Sequence, residues 1–229
     1  MWALVQHREF FMAFALRRTT ISASIHGFCG NVFAVDPLPS SPLYRLPSPT
    51  SWYFPVAAPV ARSLWPSWPT RAKHAVALLE FASEIFAGDC GSFFACDVST
   101  SAFGVDAGDN VRLTTWDLVY SYHELELLAD SRTCDMDSDC VLVAPDCRSS
   151  CDGRTHTCTL PQPTVAAVCR LLEPYLLLRA PRAVAADVSR LLGRCSALNA
   201  SAADLPLRHA VITSELKSLL WRHISTHVS

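Results

Sequence analysis

Apolar residues at helical spacing mark most of the chain beyond residue 70. From Arg71 they recur every three or four positions until Gly88 ends the run, as on one face of an amphipathic helix. The same spacing recurs in later segments, and Pro174 is expected to bend or break one of them. The predicted helices span residues 71–87, 123–130, 164–178, 182–198 and 207–224.

Short extended segments lie between the first two predicted helices. Residues 91–94, 103–106 and 111–120 have the composition of strands, and Ala107-Gly108-Asp109-Asn110 has that of a turn. Together they predict a small β-hairpin packed beside the first helix. The expected fold class is therefore α+β and mostly helical.

Residues 1–70 lack such periodicity. Nine prolines fall between positions 36 and 69, and proline cannot donate to a helical or β-sheet ladder. This region is predicted to be an irregular, proline-rich leader that is poorly ordered, followed by one cysteine-rich domain over residues 71–229.

Charge and hydropathy argue against a nucleic-acid partner and against a membrane-spanning helix. The net charge is −2, from 19 basic and 21 acidic residues, with no run of Lys or Arg, so a nucleic-acid partner is not predicted. Half of the residues are apolar, but no uninterrupted apolar run approaches the roughly 18 residues of a spanning helix. No transmembrane segment is predicted.

Cysteine content adds a constraint on the compartment. The chain has ten cysteines, and six of them lie between residues 134 and 169 among loop-forming residues such as Pro145 and Gly153. In an oxidising compartment such clustering indicates disulfides, whereas in the cytosol it more often indicates metal. Disulfides are the favoured interpretation, and the single sequon at Asn199-Ala200-Ser201 is consistent with glycosylation in the same compartment.

Calcium is one rival interpretation of this region. Asp135, Asp137, Asp139 and Asp146 have the spacing of an EF-hand loop, but Cys140 stands where that loop requires glycine. The calcium hypothesis is therefore not favoured.

Zinc is the other rival. Cys147, Cys151, His156 and Cys158 could form a tetrahedral set, but paired C-x-x-C knuckles are missing from the sequence. No metal site is predicted.

Targeting into a lumen is not explained by the amino-terminal residues. Phe10 to Leu16 form an apolar run, but Arg17 and Arg18 follow it directly. A signal peptide has basic residues before the apolar region and a small-residue cleavage site after it.

The remaining candidate side chains are expected on helix surfaces or in the core. Trp221 is predicted to be buried or half-buried, beside Leu219 and Leu220. The histidines on or beside predicted helices have no recognisable nucleophile motif and are expected on helix surfaces. They are His74, His123, His209, His223 and His227.

Several short strings together resemble one family. The strings are Leu78-Leu79-Glu80-Phe81, Cys96-Asp97, Asp146-Cys147-Arg148-Ser149-Ser150-Cys151-Asp152 and Leu216-Lys217-Ser218-Leu219-Leu220-Trp221. With the cysteine spacing, residues 72–229 resemble the divergent protein kinase domain 1 family, also called family with sequence similarity 69, whereas residues 1–69 do not.

The resemblance implies a fold like the C-terminal lobe of a protein kinase, with a disulfide-rich loop region in the lumen of the endoplasmic reticulum. The family's membrane anchor and nucleotide-holding lobe have no counterpart in residues 1–69. Cys29 and Cys90 lie outside the family's cysteine pattern. The cysteines that match it are Cys96, Cys134, Cys140, Cys147, Cys151, Cys158, Cys169 and Cys195, for which sequence alone allows about 105 pairings.

Kinase chemistry is only partly represented. The chain has no G-x-G-x-x-G, and its two lysines, Lys73 and Lys217, lie on predicted helices. The resemblance places Asp97 at the catalytic base but Ala102 at the metal-binding Asn. An ungapped match puts Thr115 at the metal-binding Asp, and a small shift would bring Asp117 there. Phosphoryl transfer needs all of these positions.

Two functions follow. The first is an incomplete, non-catalytic kinase-like glycoprotein domain of the secretory pathway that binds an unknown protein partner. The second is a divergent protein kinase that requires a nucleotide-binding lobe from outside this chain. ATP and Mg²⁺ are expected cofactors only in the second case.

Overall fold

The fold is seen in a computed structural model, which describes residues 6–17, 19, 21–37, 43, 66–87, 92–96, 98–116, 119–143, 147, 149–199 and 204–226. The helices are α1 (Arg8–Ala15), α2 (Trp68–Ala87), α3 (Tyr122–Ser131), α4 (Thr164–Leu177), α5 (Arg182–Ser196) and α6 (Leu205–Thr226). The strands are β1 (Ile25–Cys29), β2 (Val32–Val35), β3 (Phe93–Ala95), β4 (Phe103–Val105), β5 (Val111–Leu113), β6 (Val119–Ser121), β7 (Cys151–Asp152) and β8 (Thr157–Cys158).

Four helices form the centre of the fold. Helix α2 packs against α4 and α6, and α5 packs against the same two helices. Their facing residues follow the predicted helical spacing and are buried, including Leu79, Leu172, Val188 and Leu216. Burying such apolar stripes against one another is the main force that stabilises a bundle of this kind. The predicted α+β, mostly helical class is confirmed.

Helix α4 continues through Pro174 to Leu177, so of the two expected effects of this proline, a bend or a break, the break is wrong. Side chains of α2 bind the carbonyl groups of the last turn of α4. Trp68 Nε1 donates to Leu176 O at 3.0 Å, and the buried Arg71 donates to Tyr175 O. Carbonyls at a helix terminus need partners from outside the helix, and here α2 provides them.

The four strand pairs within the described residues are antiparallel: β1 with β2, β3 with β6, β4 with β5, and β7 with β8. The predicted hairpin is the β4–β5 pair, in which Val105 lies opposite Val111. The single strand expected over residues 111–120 is wrong, because β5 and β6 pair with different strands. Thr114 N donates to Ala102 O at 2.9 Å, just after β5 ends.

A second, smaller core lies under the loop region. Phe94, Leu125 and Leu142 are buried there together with four bridged cysteines. Disulfides compensate for a small apolar interior by restricting the unfolded chain. The loops between β6 and α4 therefore depend on both sulfur bridges and side-chain burial.

The amino-terminal region contains regular structure that the sequence did not predict. Residues 6–37 include α1 and the β1–β2 hairpin, and Met12 and Ile21 are buried in the main core. Tertiary packing stabilises these short elements, which local pattern alone could not indicate. Most of the proline-rich stretch lies outside the described residues, and the domain boundary at residue 70 stays a prediction.

Candidate functional site

The predicted catalytic stretch follows β3. Asp97 lies outside the described residues, and the described part of the loop begins at Val98. Ala102 is 3% exposed and belongs to the main core, and its amide donates to Ser99 O at 3.3 Å. The residue predicted to occupy the position of the metal-binding Asn thus presents a buried methyl group, which has no oxygen for Mg²⁺.

The segment after β5 holds the other predicted metal position. Thr115 Oγ1 donates to Glu9 Oε1 of α1 at 3.4 Å, and Asp117 lies outside the described residues. Strands β3 and β6 pair so that Ala95 lies opposite Val119. Along the chain, Asp97 and Asp117 are each two positions from this pair.

Helix α1 contacts this strand pair through Arg8. Its guanidinium donates to Val119 O at 2.7 Å, lies 4.1 Å from the centre of the Tyr120 ring and forms an ion pair of 3.1 Å with Glu124. Burial opposes ionisation of Glu124, but hydrogen bonds from Ser121 and the charge of Arg8 outweigh it and lower the pKa of Glu124. Arg8 thus joins α1 to β6 and α3.

Main-chain hydrogen bonds attach more of the amino-terminal region to the same part of the fold. Leu113 N of β5 donates to Ile21 O at 3.2 Å, and Leu43 N donates to Phe103 O at 2.8 Å and to Thr100 O at 3.1 Å. Residues 6–43, as far as they are described, therefore contact the hairpin, the loop after β3 and the segment after β5.

The β4–β5 turn is held by Asp106. Hydrogen bonds from the Asn110 amide, from Arg112 and from the Gly108 amide lower the pKa of Asp106 to about 2, although burial opposes this. Arg112 pairs with Asp106 at 3.1 Å and also donates to Ser22 O at 3.3 Å. The ionised carboxylate thus orients an arginine that binds the amino-terminal region.

His74 is buried, so its expected surface position is wrong. Its Nδ1 lies 2.8 Å from the Tyr175 hydroxyl, and its Nε2 lies 3.1 Å from Asp109 Oδ1. These contacts connect α2, α4 and the β4–β5 turn. Neither partner is a serine or cysteine, and the arrangement joins three elements of the fold.

His209 is also buried, at 4% exposed, contrary to its expected surface position. His123 is exposed and His223 is half-buried, whereas His227 lies outside the described residues. Trp221 was predicted to be buried or half-buried, and at 50% exposed it does not belong to the core. The helical spacing of these residues gave no signal for which face of each helix meets another helix.

The eight family-pattern cysteines form four disulfides. The bridge from Cys96 joins the end of β3 to the loop region, and the bridge from Cys169 joins α4 to α5. Cys29 is an exposed free thiol, and Cys90 lies outside the described residues. The pairs are Cys96–Cys147, Cys134–Cys151, Cys140–Cys158 and Cys169–Cys195.

The zinc hypothesis is wrong for the set that the sequence suggested. Cys147, Cys151 and Cys158 belong to three different disulfides, and a bridged sulfur cannot act as a thiolate ligand. The sulfurs of Cys134, Cys140 and Cys158 lie within 4.8 Å of one another because two bridges are adjacent.

Two of the EF-hand-like aspartates, Asp137 and Asp139, accept hydrogen bonds from backbone amides. Asp139 Oδ2 accepts from Asp135 N at 3.0 Å and from Met136 N at 3.1 Å, and these bonds lower the pKa of Asp139. Asp137 Oδ1 accepts from Cys151 N at 2.8 Å. These carboxylates stabilise the loop, while Asp146 lies outside the described residues.

The predicted glycosylation position, Asn199, is exposed after α5. Ala200 and Ser201 of its sequon lie outside the described residues. Four disulfides are typical of an oxidising, secretory-type compartment. Among the helices that the structure describes, none is both long and apolar enough to cross a membrane.

A comparison with protein families assigns most of the chain to one family. The family described as the protein-kinase domain of FAM69 matches residues 1–198. The match includes residues 1–69, so the expectation that these residues fall outside the family is wrong, and it ends before α6. Because it covers more than half of the chain, the chain belongs to the FAM69 family.

Proposed function

We propose that this chain is an incomplete, non-catalytic kinase-like domain that acts by binding a protein partner in the lumen of the endoplasmic reticulum. The burial of Ala102 carries the proposal. In protein kinases an Asn at this position and a later Asp hold the Mg²⁺ ions that neutralise charge on the transferred phosphoryl group. Ala102 is 3% exposed, and its methyl group has no oxygen that could bind Mg²⁺.

Contacts of the amino-terminal region support the same proposal. Thr115, at the ungapped position of the metal-binding Asp, donates to Glu9 of α1. The loop after β3 accepts a hydrogen bond from Leu43 N. Groups near the predicted site are thus engaged by other parts of this chain. ATP would have to displace or bypass those contacts.

Nucleotide binding tests the proposal. We expect the oxidised protein to show no Mg²⁺-dependent rise in melting temperature with ATP, whereas a ligand at about 100 times its Kd would stabilise the fold by about 2.7 kcal/mol. Differential scanning fluorimetry with ATP, in Mg²⁺ and in EDTA, makes the measurement.

The opposite result would support the divergent kinase alternative, with ATP and Mg²⁺ as its cofactors. That alternative requires stabilisation by ATP that depends on Mg²⁺ and is lost in Asp97→Ala or Asp117→Ala. Asp130→Ala, at an exposed position on α3, is the matched control and should keep any such binding.

Glycosylation tests the proposed compartment. We expect the chain expressed in secretory cells to carry one glycan at Asn199, since this residue is exposed and begins the sequence's single sequon. Asn199→Gln should then migrate faster on a denaturing gel, and a peptide N-glycosidase should remove the difference from the unsubstituted chain.

Asn31→Gln is the control, because Asn31 is exposed but begins no sequon. Its migration should equal that of the unsubstituted chain. Protease treatment of microsomes separates the two claims. If the chain is protected inside the microsomes but carries no glycan, the predicted glycosylation is wrong and the lumenal location stands. A chain that is fully digested outside them would contradict the lumenal location.

A further inference from the structure

Helix α6 presents an exposed stripe on the side away from the bundle. Leu207, Val211 and Trp221 are 68%, 42% and 50% exposed, respectively, and Ser214 and Ser218 lie between them in sequence. The steps of four, three, four and three residues place all five on one helical face. Large apolar residues at both ends thus flank two small polar ones.

A groove of about 500 Å³ lies beside the middle of this stripe, between α5 and α6. Ser214 and Ser218 line it from α6, with Leu191 on the α5 side and Leu219 beside Ser218. Small residues let a second helix approach closely, as at helix–helix contacts in general. A helix laid along the stripe would contact the two serines at its middle and the exposed apolar side chains at its ends.

Arginines surround the groove. Arg190 pairs with Asp187 at 3.1 Å, and Arg194 pairs with Glu215 at 2.9 Å. Both pairs are about half exposed, so their net contribution to stability is small and their arginines can accept other carboxylates. Within the described residues, Arg222 forms no ion pair. The groove therefore has three guanidinium groups and two carboxylates.

We infer that this groove binds an amphipathic helix of a partner protein, with apolar residues on one face and Asp or Glu along its edge. The inference rests on the proposed binding function and names the surface and the partner chemistry. Amphipathic helices bind grooves through apolar side chains at i, i+3 or i+4, and i+7. The excess positive charge selects an acidic edge and speeds association.

A lipid surface fits these features less well. A helix that lies on a membrane has a continuous apolar face, but here Ser214 and Ser218 interrupt the stripe. The ion pairs of Arg190 and Arg194 also lie beside the groove itself, where acyl chains would have to desolvate them.

The test uses the full oxidised chain and a synthetic peptide as probe. The peptide is a stapled helix with leucines at i, i+4 and i+7 and glutamates on both flanks, labelled for fluorescence polarisation. We expect saturable binding that weakens with added salt, because exposed charges are screened. The same peptide with lysine in place of glutamate should bind more weakly by about tenfold or more.

Substitutions locate the binding surface. Ser214→Trp should abolish binding by filling the groove, and Arg222→Glu should raise the Kd by about tenfold. Arg154→Glu makes the same change in charge on the exposed β7–β8 turn and should leave the Kd unchanged. Circular dichroism melts should show that all three variants are folded.

Three outcomes would overturn the inference: no saturable binding of the acidic peptide, equal binding of the lysine peptide, or equal loss in Arg154→Glu. Sedimentation with phosphatidylserine vesicles that is lost in Arg222→Glu would assign the surface to lipid and also overturn it. Each outcome is independent of the ATP measurement, so the groove and the non-catalytic function can fail separately.

Discussion

Joint replacement of Cys169 and Cys195 by alanine is expected to lower the free energy of unfolding by about 3 to 4 kcal/mol. The bridge spans 26 residues, and closing a loop of that length removes entropy from the unfolded chain worth about 3.5 kcal/mol. Both cysteines are fully buried between α4 and α5. Lost packing of the two sulfurs would add to the effect.

Urea unfolding of the double variant and the unsubstituted protein, both under oxidising conditions, measures this difference. Cys29→Ser is the control, because Cys29 is an exposed free thiol and its replacement should leave the unfolding free energy unchanged. A loss below about 1 kcal/mol in the double variant would contradict a structural role of this bridge, and non-reducing peptide mapping would identify any alternative pairing.

The helices could be predicted from sequence because their buried residues repeat at the helical period. For α5 and α6 the predicted and observed segments agree within a few residues. Helix α2 begins at Trp68, three residues before the predicted start, since the Trp68 indole binds a carbonyl of α4. Trp68 and Leu176 are 108 positions apart, so the local periodicity around Trp68 does not reveal this contact.

Strand partners and buried polar residues depend even more on distant contacts. Residues 111–120 read as one strand, but their partners, β4 and β3, split them into β5 and β6. His74 looks like any polar residue on a helix, yet its partner Tyr175 is 101 positions away. Periodicity shows which residues are apolar, and tertiary contacts decide which polar residues are buried with them.

For the candidate site, the sequence supports predictions only where single residues decide the chemistry. The resemblance places Ala102 at a metal position, which argues against Mg²⁺ binding from sequence alone, and the structure adds that Ala102 is buried. The contacts of Glu9 with Thr115 and of Arg8 with Val119 were not predictable. They join segments more than 100 residues apart, within a region whose sequence gave no sign of regular structure.

His209 is expected to make the fold sensitive to acid. Its imidazole stacks on Phe86 with ring centres 4.5 Å apart, and its Nε2 has no hydrogen-bond partner among the described residues. Burial lowers the pKa of His209 from 6.5 to about 4, although a hydrogen bond with the backbone of Ala82 opposes this. The folded protein therefore keeps the ring neutral at pH values where the unfolded chain binds a proton.

The direction of the pH effect follows from this difference. Above pH 6.5 both states are neutral at His209, so the residue gives no dependence on pH. As the pH falls from 6.5 to about 4, the unfolded state takes up a proton that the folded state excludes. Stability then decreases by about 3 kcal/mol, at about 1.36 kcal/mol for each pKa unit.

Urea unfolding at pH 7 and pH 4 measures this loss. Methionine is similar in volume to histidine and cannot be protonated. Between pH 7 and pH 4, the loss of unfolding free energy in His209→Met should therefore be about 3 kcal/mol smaller than the loss in the unsubstituted protein. His123→Gln, at an exposed position, should keep the full loss. Equal pH dependence in His209→Met and the unsubstituted protein would mean that protonation of other groups, such as the carboxylates of Asp106 and Glu124, causes the acid sensitivity.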